Sequence, residues 1–497
     1  MNAINPGVTL AVILVYFLFL IAISFWTSRG ADSKTFFTGD KQSPWLLVAI
    51  GMIGASLSGV TFISIPGVVG KGGLNMNLSY MQVVMGYLVG YAVIAMVLMP
   101  LYYRMQLTTI YGYLEKRFGV VSYKTGAGFF LLSRIIGASF RLFLVAIVLQ
   151  TFVMESFGIS FMTTVAITIA LIWIYTFQGG IKTIVWTDTI QTICMLGAVI
   201  LTIFAIAKSM DVSVGGLWEV FKGEGYGQMF YFEGGWSDPN NFFKQFLSGA
   251  LLAIVMTGLD QDMMQKNLTC KTLGDAQKNV FTFSFFLIFA NFLFLLLGGL
   301  LYAYAQKEGI AIPERSDLLF PEIALNHLGP VVGVIFILGL VAAAYSSADS
   351  ALTALTTSFC IDFLNFDSVN KTEAQKKKTR LMVHVGFSVI LFLVIVVFKS
   401  LNNDAIINQL FKIAGYTYGP ILGLFSFGMM TKRPINDRLA LLVCLAAPAI
   451  SYVLDSNSKA LFGGFEFGFL TLALNGVLTF LGLWAISKSS ADNATSF

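Results

Sequence analysis

Two apolar stretches of the sequence concentrate hydroxyl and carboxyl groups, the oxygen ligands that hard cations prefer. Ser346, Asp349, Ser350 and Thr353 are spaced i, i+3, i+4 and i+7, so a helix places them on one face. Serines can instead bond back to the preceding turn of their own helix. That alternative leaves Asp349 unexplained, because a carboxylate in an apolar span is costly unless it is paired or faces water. The pattern therefore predicts a cation site.

The second stretch, residues 51–61, combines three glycines with three hydroxyl residues and is followed by Pro66-Gly67. A broken helix has a use for this composition, because unwinding exposes main-chain carbonyls for a cation and places hydroxyls near a solute. Close packing of an unbroken helix through small residues is the alternative interpretation. We expect a break near the middle of this segment.

Two further segments carry charged groups into apolar runs. Gly179-Gly180 predicts a turn, after which Asp188 and Gln191 enter a helix on one face, three residues apart.

Arg134 and Arg141 are seven residues apart and therefore share a helix face. Arg141 is able to bind a solute anion as a bidentate fork. It is equally able to neutralise a buried aspartate such as Asp349. Both roles satisfy the demand that a buried charge be paired, and the sequence leaves the choice between them open.

The elements that hold these groups are membrane-spanning helices. The chain has 497 residues, of which 57% are hydrophobic and 11% charged; the charged share is about half that of a soluble domain. Repeated apolar runs of about 18 residues or more indicate a helical bundle, since lipid satisfies no backbone hydrogen bonds. We predict an all-α integral membrane protein with thirteen spans, near 8–27, 44–70, 75–101, 124–154, 159–177, 184–207, 243–260, 277–305, 330–362, 381–399, 404–430, 436–454 and 464–487.

The distribution of Lys and Arg predicts the orientation of the chain in a cell inner (plasma) membrane. With the N-terminus outside and the C-terminus in the cytoplasm, inside segments hold 20 of the 31 basic residues and outside segments hold 8, as the positive-inside rule requires. The net charge of +5 thus serves topology and contact with membrane lipid, and we expect no nucleic acid partner.

Other classes of membrane protein fit the sequence less well. A membrane enzyme needs a cluster of acidic residues and histidines near one interface, but His327 and His384 stand alone and no CxxC, HExxH or suitably placed GxSxG motif occurs. A channel needs pore loops repeated in symmetric subunits. We therefore expect a transporter that is not an enzyme and that works as a monomer.

Four motifs give the chain a resemblance to the sodium:solute symporter family, whose members carry sugars, sialic acid, proline, iodide and vitamins. GGIKTIVWTDTIQ (179–191) resembles the family's glycine pair followed by Trp-Thr-Asp, and AAAYSSADSALT (342–353) resembles its hydroxyl-rich sodium-site helix. DQDMMQKNLTCKTLGDAQK (260–278) is similar to an inside loop of the family, with Lys266 in place of the usual Arg. GYTYGPILGLF (415–425) resembles the Gly-Pro segment of the eleventh span.

The resemblance implies a LeuT-like fold with a 5+5 inverted repeat and extra flanking helices. In a single transport domain, 1–497, an extra helix at 8–27 would precede a first five-helix repeat at 44–207. A second repeat at 243–430 and two C-terminal helices at 436–487 would follow.

The resemblance also implies sodium (Na+) as the coupling ion. The main site would use the main-chain carbonyls of Gly54, Leu57 and Ala343 and the hydroxyls of Ser346 and Ser347. A second cation site would use Asp188, Ser346, Asp349 and Ser350. Asp349 replaces a serine of the sialic acid carriers, and this added charge would strengthen the second site, hold a proton or pair with Arg141.

For the solute, the resemblance implies a central cavity lined by Ser56, Ser58, Thr61, Gln82, Arg141, Asp260 and Gln261. The arginine that binds the carboxylate in the sialic acid symporters aligns with Gly137, one turn before Arg141. The sequence thus predicts a sodium-coupled secondary active symporter that imports a small polar organic solute, such as a sugar or sugar acid, by alternating access. The alternatives are sodium-coupled uptake of a carboxylate, amino acid or sialic acid, and a transporter-fold solute sensor without transport.

Overall fold

The computed structural model describes residues 6–29, 33–70, 72–177, 180–366, 372–400 and 406–488. Within these ranges, regular structure is helical apart from two isolated β-bridges. The helices that build the body are α1 (Pro6–Thr27), α2 (Trp45–Leu57), α3 (Gly59–Val68), α4 (Tyr80–Met105), α5 (Val120–Phe157), α6 (Phe161–Thr176), α7 (Gly180–Ser209), α8 (Phe242–Gly258), α9 (Gln261–Asn267), α10 (Leu273–Glu308), α11 (Pro330–Phe363), α12 (Glu373–Lys399), α13 (Ile406–Met430), α14 (Asp437–Ser456) and α15 (Gly468–Ala485). Gly179 of the predicted turn lies outside the described residues, and α7 begins directly after it at Gly180.

The membrane character of the chain is confirmed, but thirteen spans are not. Among the described residues, nine helices are long and apolar enough to cross a membrane, or up to eleven if each bent pair counts as one span. The two remaining predicted spans coincide with α6, which has 16 residues, and α13, which has 25.

Two helix pairs are sharply bent, and these bends position the site. The axis turns by 55° between α2 and α3 and by 69° between α8 and α9. Each bent pair is the first span of one predicted five-helix repeat, which is the correspondence that an inverted repeat requires.

Small residues let the helices around these bends approach closely. Gly51 and Gly54 of α2 lie against Asp188 and Thr192 of α7. α7 in turn packs along α11, and α11 also touches α2, α3, α5 and α9. The two stretches that carry the predicted cation ligands are thereby held inside the bundle.

Candidate functional site

The break between α2 and α3 falls at Ser58, inside the stretch where the sequence predicts it. Ser58 has φ 21° and ψ 170°, and its N–H donates to Gly54 O at 3.1 Å. Strained backbone of this kind occurs mainly at functional sites. A helix end leaves its last carbonyls without donors inside the helix. The turn from Gly54 to Leu57 is therefore able to offer main-chain oxygens to a ligand, Gly54 O through the lone pair that the Ser58 N–H does not use.

α11 lies directly beside this break. A Cβ built on Gly59 would lie 3.6 Å from the Cα of Ala344. The neighbouring residues Ala343, Ser346 and Ser347 are all buried, and Ser347 Oγ donates to Ala343 O at 3.4 Å. The residues predicted for the main sodium site therefore lie on contacting helices in the protein interior, and none of them faces lipid.

Asp188 on α7 is fully buried, and both of its carboxylate oxygens are bonded. Oδ1 accepts from Ser346 Oγ at 2.7 Å, and Oδ2 accepts from Lys266 Nζ at 2.7 Å. The Gln191 amide, in the orientation that satisfies both of its atoms, donates to Oδ1 at 3.2 Å. The sequence places Lys266 in an inside loop; the structure instead buries it on α9, because Asp188 supplies its counter-charge.

Asp349, a predicted member of the second cation site, has different neighbours. Its Oδ2 accepts from Tyr175 Oη at 2.8 Å, and its Oδ1 accepts from the Ser350 N–H at 2.5 Å. No described cationic side chain lies within ion-pair distance of this carboxylate, so the suggested pairing with Arg141 is wrong. Asp349 is a buried acid surrounded by neutral donors.

Beneath the break, Arg134 joins two aspartates that flank the start of α9. Its guanidinium pairs with Asp262 and lies 3.8 Å from Asp260 Oδ2. The Ser350 hydroxyl donates to Asp262, and Tyr418 Oη donates to Asp260 Oδ2 at 2.5 Å. The hydroxyl of Ser350, which the sequence places at the second cation site, is thus bonded to α9 instead. These contacts join α5, α9, α11 and α13.

A central cavity adjoins this network. Its wall includes Ser56, Ser58 and Thr61, as the sequence predicts, together with Leu57 from the predicted sodium site. Arg141 also lines it. Arg141 is only 7% exposed, its Nε has no hydrogen-bond partner, and no described carboxylate lies within ion-pair distance of it.

Three tyrosines of α4 line the same cavity and were missed in the sequence. Tyr80, Tyr87 and Tyr91 share one helix face through their spacing of seven and four residues, a signal that was available. Tyr80 Oη and Tyr87 Oη lie 2.9 Å apart. Thr257 and Asn291 add further polar groups.

Three predicted solute ligands lie outside the cavity wall in this structure. Gln82 binds the segment between α7 and α8 (residues 210–241), accepting from Tyr231 N at 3.1 Å and donating to Asn240 O at 2.8 Å. Gln261 accepts from Ile110 N at 2.9 Å. Asp260 caps α9 through Asp262 N at 2.9 Å and holds Tyr418. Their polar atoms are used by the protein itself, so the expectation that they face the cavity is corrected.

A sequence model described as the sodium:solute symporter family matches residues 36–446, which is most of the chain. The chain belongs to the sodium:solute symporter family. Family membership makes it a sodium-coupled, multi-pass membrane transporter rather than an enzyme, with Na+ and a small-molecule solute as its ligands.

Two bacterial relatives are similar over nearly their whole length. The sodium/sialic acid symporter NanT of Aliivibrio fischeri is 24% identical over 473 residues, which cover 92% of this chain and 89% of the relative. The sodium/sialic acid symporter SiaT of Proteus mirabilis is 24% identical over 419 residues, which cover 82% of each chain.

The fold matches that of a solved sialic acid symporter. A substrate-bound, outward-open Na+-coupled sialic acid symporter superposes with a TM-score of 0.81 at 21% identity, covering 97% of this chain and 98% of the other. At this identity the likeness establishes the fold alone.

Proposed function

We propose that this symporter imports a small polyhydroxylated carboxylate, of the sugar-acid class, together with sodium. The observation that carries the proposal is the Arg141 guanidinium, which is buried in the wall of the central cavity and has no carboxylate of the described residues within ion-pair distance. Arg134, on the same helix, has Asp260 and Asp262 as partners. Of these two arginines, Arg141 is therefore the one that is available to pair with an anionic solute.

The rest of the cavity wall suits a solute that carries hydroxyl groups. Ser56, Ser58 and Thr61 project from the broken helix, and Tyr80 and Tyr87 face the cavity from α4. Hydroxyl groups both donate and accept, so they match sugar hydroxyls, whereas a guanidinium binds a carboxylate through two parallel hydrogen bonds. The names of both bacterial relatives specify sialic acid, which is itself a sugar acid.

The sodium ion is proposed to bind where α11 meets the break of the bent pair. The carbonyls of Gly54, Leu57 and Ala343 and the hydroxyls of Ser346 and Ser347 would supply an all-oxygen ligand set. Because Leu57 also lines the cavity, an ion at this point would order the wall that contacts the solute. Each ligand then raises the affinity for the other, and the effect is reciprocal.

The sodium assignment predicts the effect of Ser346→Ala. Loss of one ligand oxygen should raise the sodium concentration for half-maximal uptake by roughly tenfold, which corresponds to about 1.4 kcal/mol, while the protein still folds. The measurement is sodium-dependent uptake in proteoliposomes, with Ser284→Ala, a serine of α10 bonded to its own helix turn, as the control. An unchanged sodium dependence in Ser346→Ala would contradict the assignment.

The solute assignment predicts the effect of Arg141→Ala. Removing one partner of a buried charge pair costs about 2–5 kcal/mol, so the affinity for a carboxylate solute should fall at least about thirtyfold. Arg141→Lys should retain part of the affinity, since it keeps the charge but loses the planar fork.

The solute is found first by a thermal-shift screen of sugars, amino sugars and sugar acids, each in sodium and in potassium. The acid and its neutral amide are then compared in binding to the parent protein and to Arg141→Ala. We expect the preference for the acid to disappear in the variant. A neutral sugar that binds both proteins equally well would replace the sugar-acid proposal with neutral sugar uptake.

We further propose thirteen spans in a LeuT-like arrangement of two inverted five-helix repeats, with the N-terminus outside and the C-terminus in the cytoplasm of a monomer. The positions of the two bent pairs support the repeats. The excess of Lys and Arg in the inside segments supports the orientation.

A further inference from the structure

Lys266 brings a positive charge to the place where the second cation site is expected. Its ammonium group is buried, with the side chain only 2% exposed, and its one described carboxylate partner is Asp188. Asp188 accepts from Ser346 through its other oxygen. A lysine buried this deeply is stable as a cation only with such a partner.

The ammonium group occupies one oxygen of the carboxylate that a second sodium ion would use. Lys266 Nζ donates to Asp188 Oδ2 at 2.7 Å, while the Ser346 hydroxyl and the Gln191 amide donate to the other oxygen, Oδ1. An ammonium group and a sodium ion carry the same charge and both bind oxygen ligands. Two such charges beside one carboxylate in a medium of low dielectric repel each other strongly, so the lysine and a sodium ion exclude one another.

We propose that Lys266 is a tethered cation that occupies the Asp188 site in place of a second sodium ion and thereby limits the symporter to one sodium per cycle. This inference rests on the proposed main sodium site beside Ser346. It adds a determinant of ion stoichiometry, supplied by a side chain in the last turn of α9.

The test replaces Lys266 with methionine, which keeps the length of the side chain and removes its charge. Equilibrium binding of radioactive sodium to the purified protein without solute measures the number of ions, and the sodium dependence of uptake gives the Hill coefficient. We expect one ion and a coefficient of about one for the parent protein and for Lys266→Arg. Lys266→Met should bind two ions and give a coefficient that approaches about two.

Two further variants assign the additional ion to Asp188. The double variant Lys266→Met with Asp188→Asn should return to one ion, because it has neither the lysine nor the carboxylate. Lys307→Met serves as the matched control, since this lysine donates to the Met210 carbonyl on the outer side of the protein, and it should bind one ion. Sodium, but not potassium, should also raise the melting temperature of Lys266→Met more than that of the double variant.

The outcomes separate this inference from the proposed function. If the parent protein binds no sodium, the proposed main sodium site is wrong, and so is the proposed symport mechanism that depends on it. A parent protein that binds two ions, or a folded Lys266→Met that still binds one, overturns the tethered cation alone. If Lys266→Met does not fold, the number of sodium ions bound by the parent protein still tests the proposal, because two bound ions would contradict it.

Discussion

Arg134 and Arg141 share a helix face but have different partners, and this difference determines the proposed solute. Arg134 is neutralised by Asp260 and Asp262, whereas Arg141 has no described carboxylate within reach. The sequence leaves open whether Arg141 binds a solute or Asp349, because spacing along a helix does not say which helix lies opposite. The structure removes the second choice by pairing Asp349 with Tyr175.

The isolated carboxyl group of Asp349 leads to a prediction about pH. In an apolar interior an ionised carboxylate without a cationic partner is costly, so we expect Asp349 to carry a proton in the working cycle. Uptake by the parent protein should then fall as the pH rises into the alkaline range, because the working protein must keep this proton. Asp349→Asn, which mimics the protonated acid, should show a flatter profile.

The measurement is initial uptake at saturating sodium across that pH range. Asp211→Asn, at an exposed aspartate of the segment between α7 and α8, is the control and should follow the parent protein. Identical profiles for Asp349→Asn and the parent would show that Asp349 has a structural role only.

At the scale of elements, α9 is a short polar helix packed inside the protein. All seven of its residues are buried, and five of them are polar. Asp262 binds α5 and α11, Lys266 binds α7, and Gln265 Nε2 donates to Phe37 O at 2.7 Å. In the proposed orientation α9 lies on the cytoplasmic side of the cavity, so we expect these bonds to form an inner seal that opens to release solute.

Asp262→Asn should weaken this seal. Breaking a buried ion pair costs about 3–5 kcal/mol, and a fraction of that is enough to shift the balance toward the inward-open state at least about tenfold. A cysteine placed at Ser58 in a background without other cysteines should then react faster with a charged thiol reagent in inside-out vesicles. Asp275→Asn, at a half-buried aspartate that accepts a hydrogen bond from Thr272, should leave the rate unchanged. An equal rate in Asp262→Asn would argue against the seal.

The sequence predicted the elements better than it predicted the partners of their side chains. The break at Ser58 and the polar face of Ser346, Asp349 and Ser350 were predictable, because glycine content and helical spacing are local properties. The position of Lys266 was not, because a short stretch rich in polar residues has the composition of a loop. Only Asp188, distant in the chain, makes its burial favourable.

The same limit explains the error over the solute ligands. Gln82, Asp260 and Gln261 have residue types that bind sugars, but the structure uses their polar atoms to hold the segment between α7 and α8, cap α9 and bind the main chain at Ile110. Residue type indicates what a side chain is able to bind. Which partner it binds depends on the packing of helices that are far apart in sequence.

At the scale of the whole molecule, the two proposals together fix the charge that crosses the membrane. One sodium ion and one solute carboxylate carry no net charge, provided that Lys266 excludes a second ion. Uptake by the parent protein in proteoliposomes should therefore be insensitive to a potassium diffusion potential set with valinomycin. Lys266→Met, carrying two sodium ions, should be stimulated by an inside-negative potential, since about 100 mV contributes roughly 2.3 kcal/mol per charge.

Strong stimulation of the parent protein by the potential would contradict the combined one-sodium, one-carboxylate scheme. The Lys307→Met variant, which keeps the Lys266–Asp188 pair, is the control and should respond as the parent does.

The Lys266–Asp188 ion pair also sets how far such a carrier can concentrate its cargo. Without a contribution from voltage, the ratio of solute inside to solute outside can reach only the ratio of sodium outside to sodium inside. Each additional positive charge carried inward would multiply this maximum ratio about fiftyfold at 100 mV. In exchange, uptake continues unchanged in a depolarised cell as long as a sodium gradient remains. One buried ammonium group thus lowers the maximum accumulation of the solute and makes its uptake independent of the membrane potential.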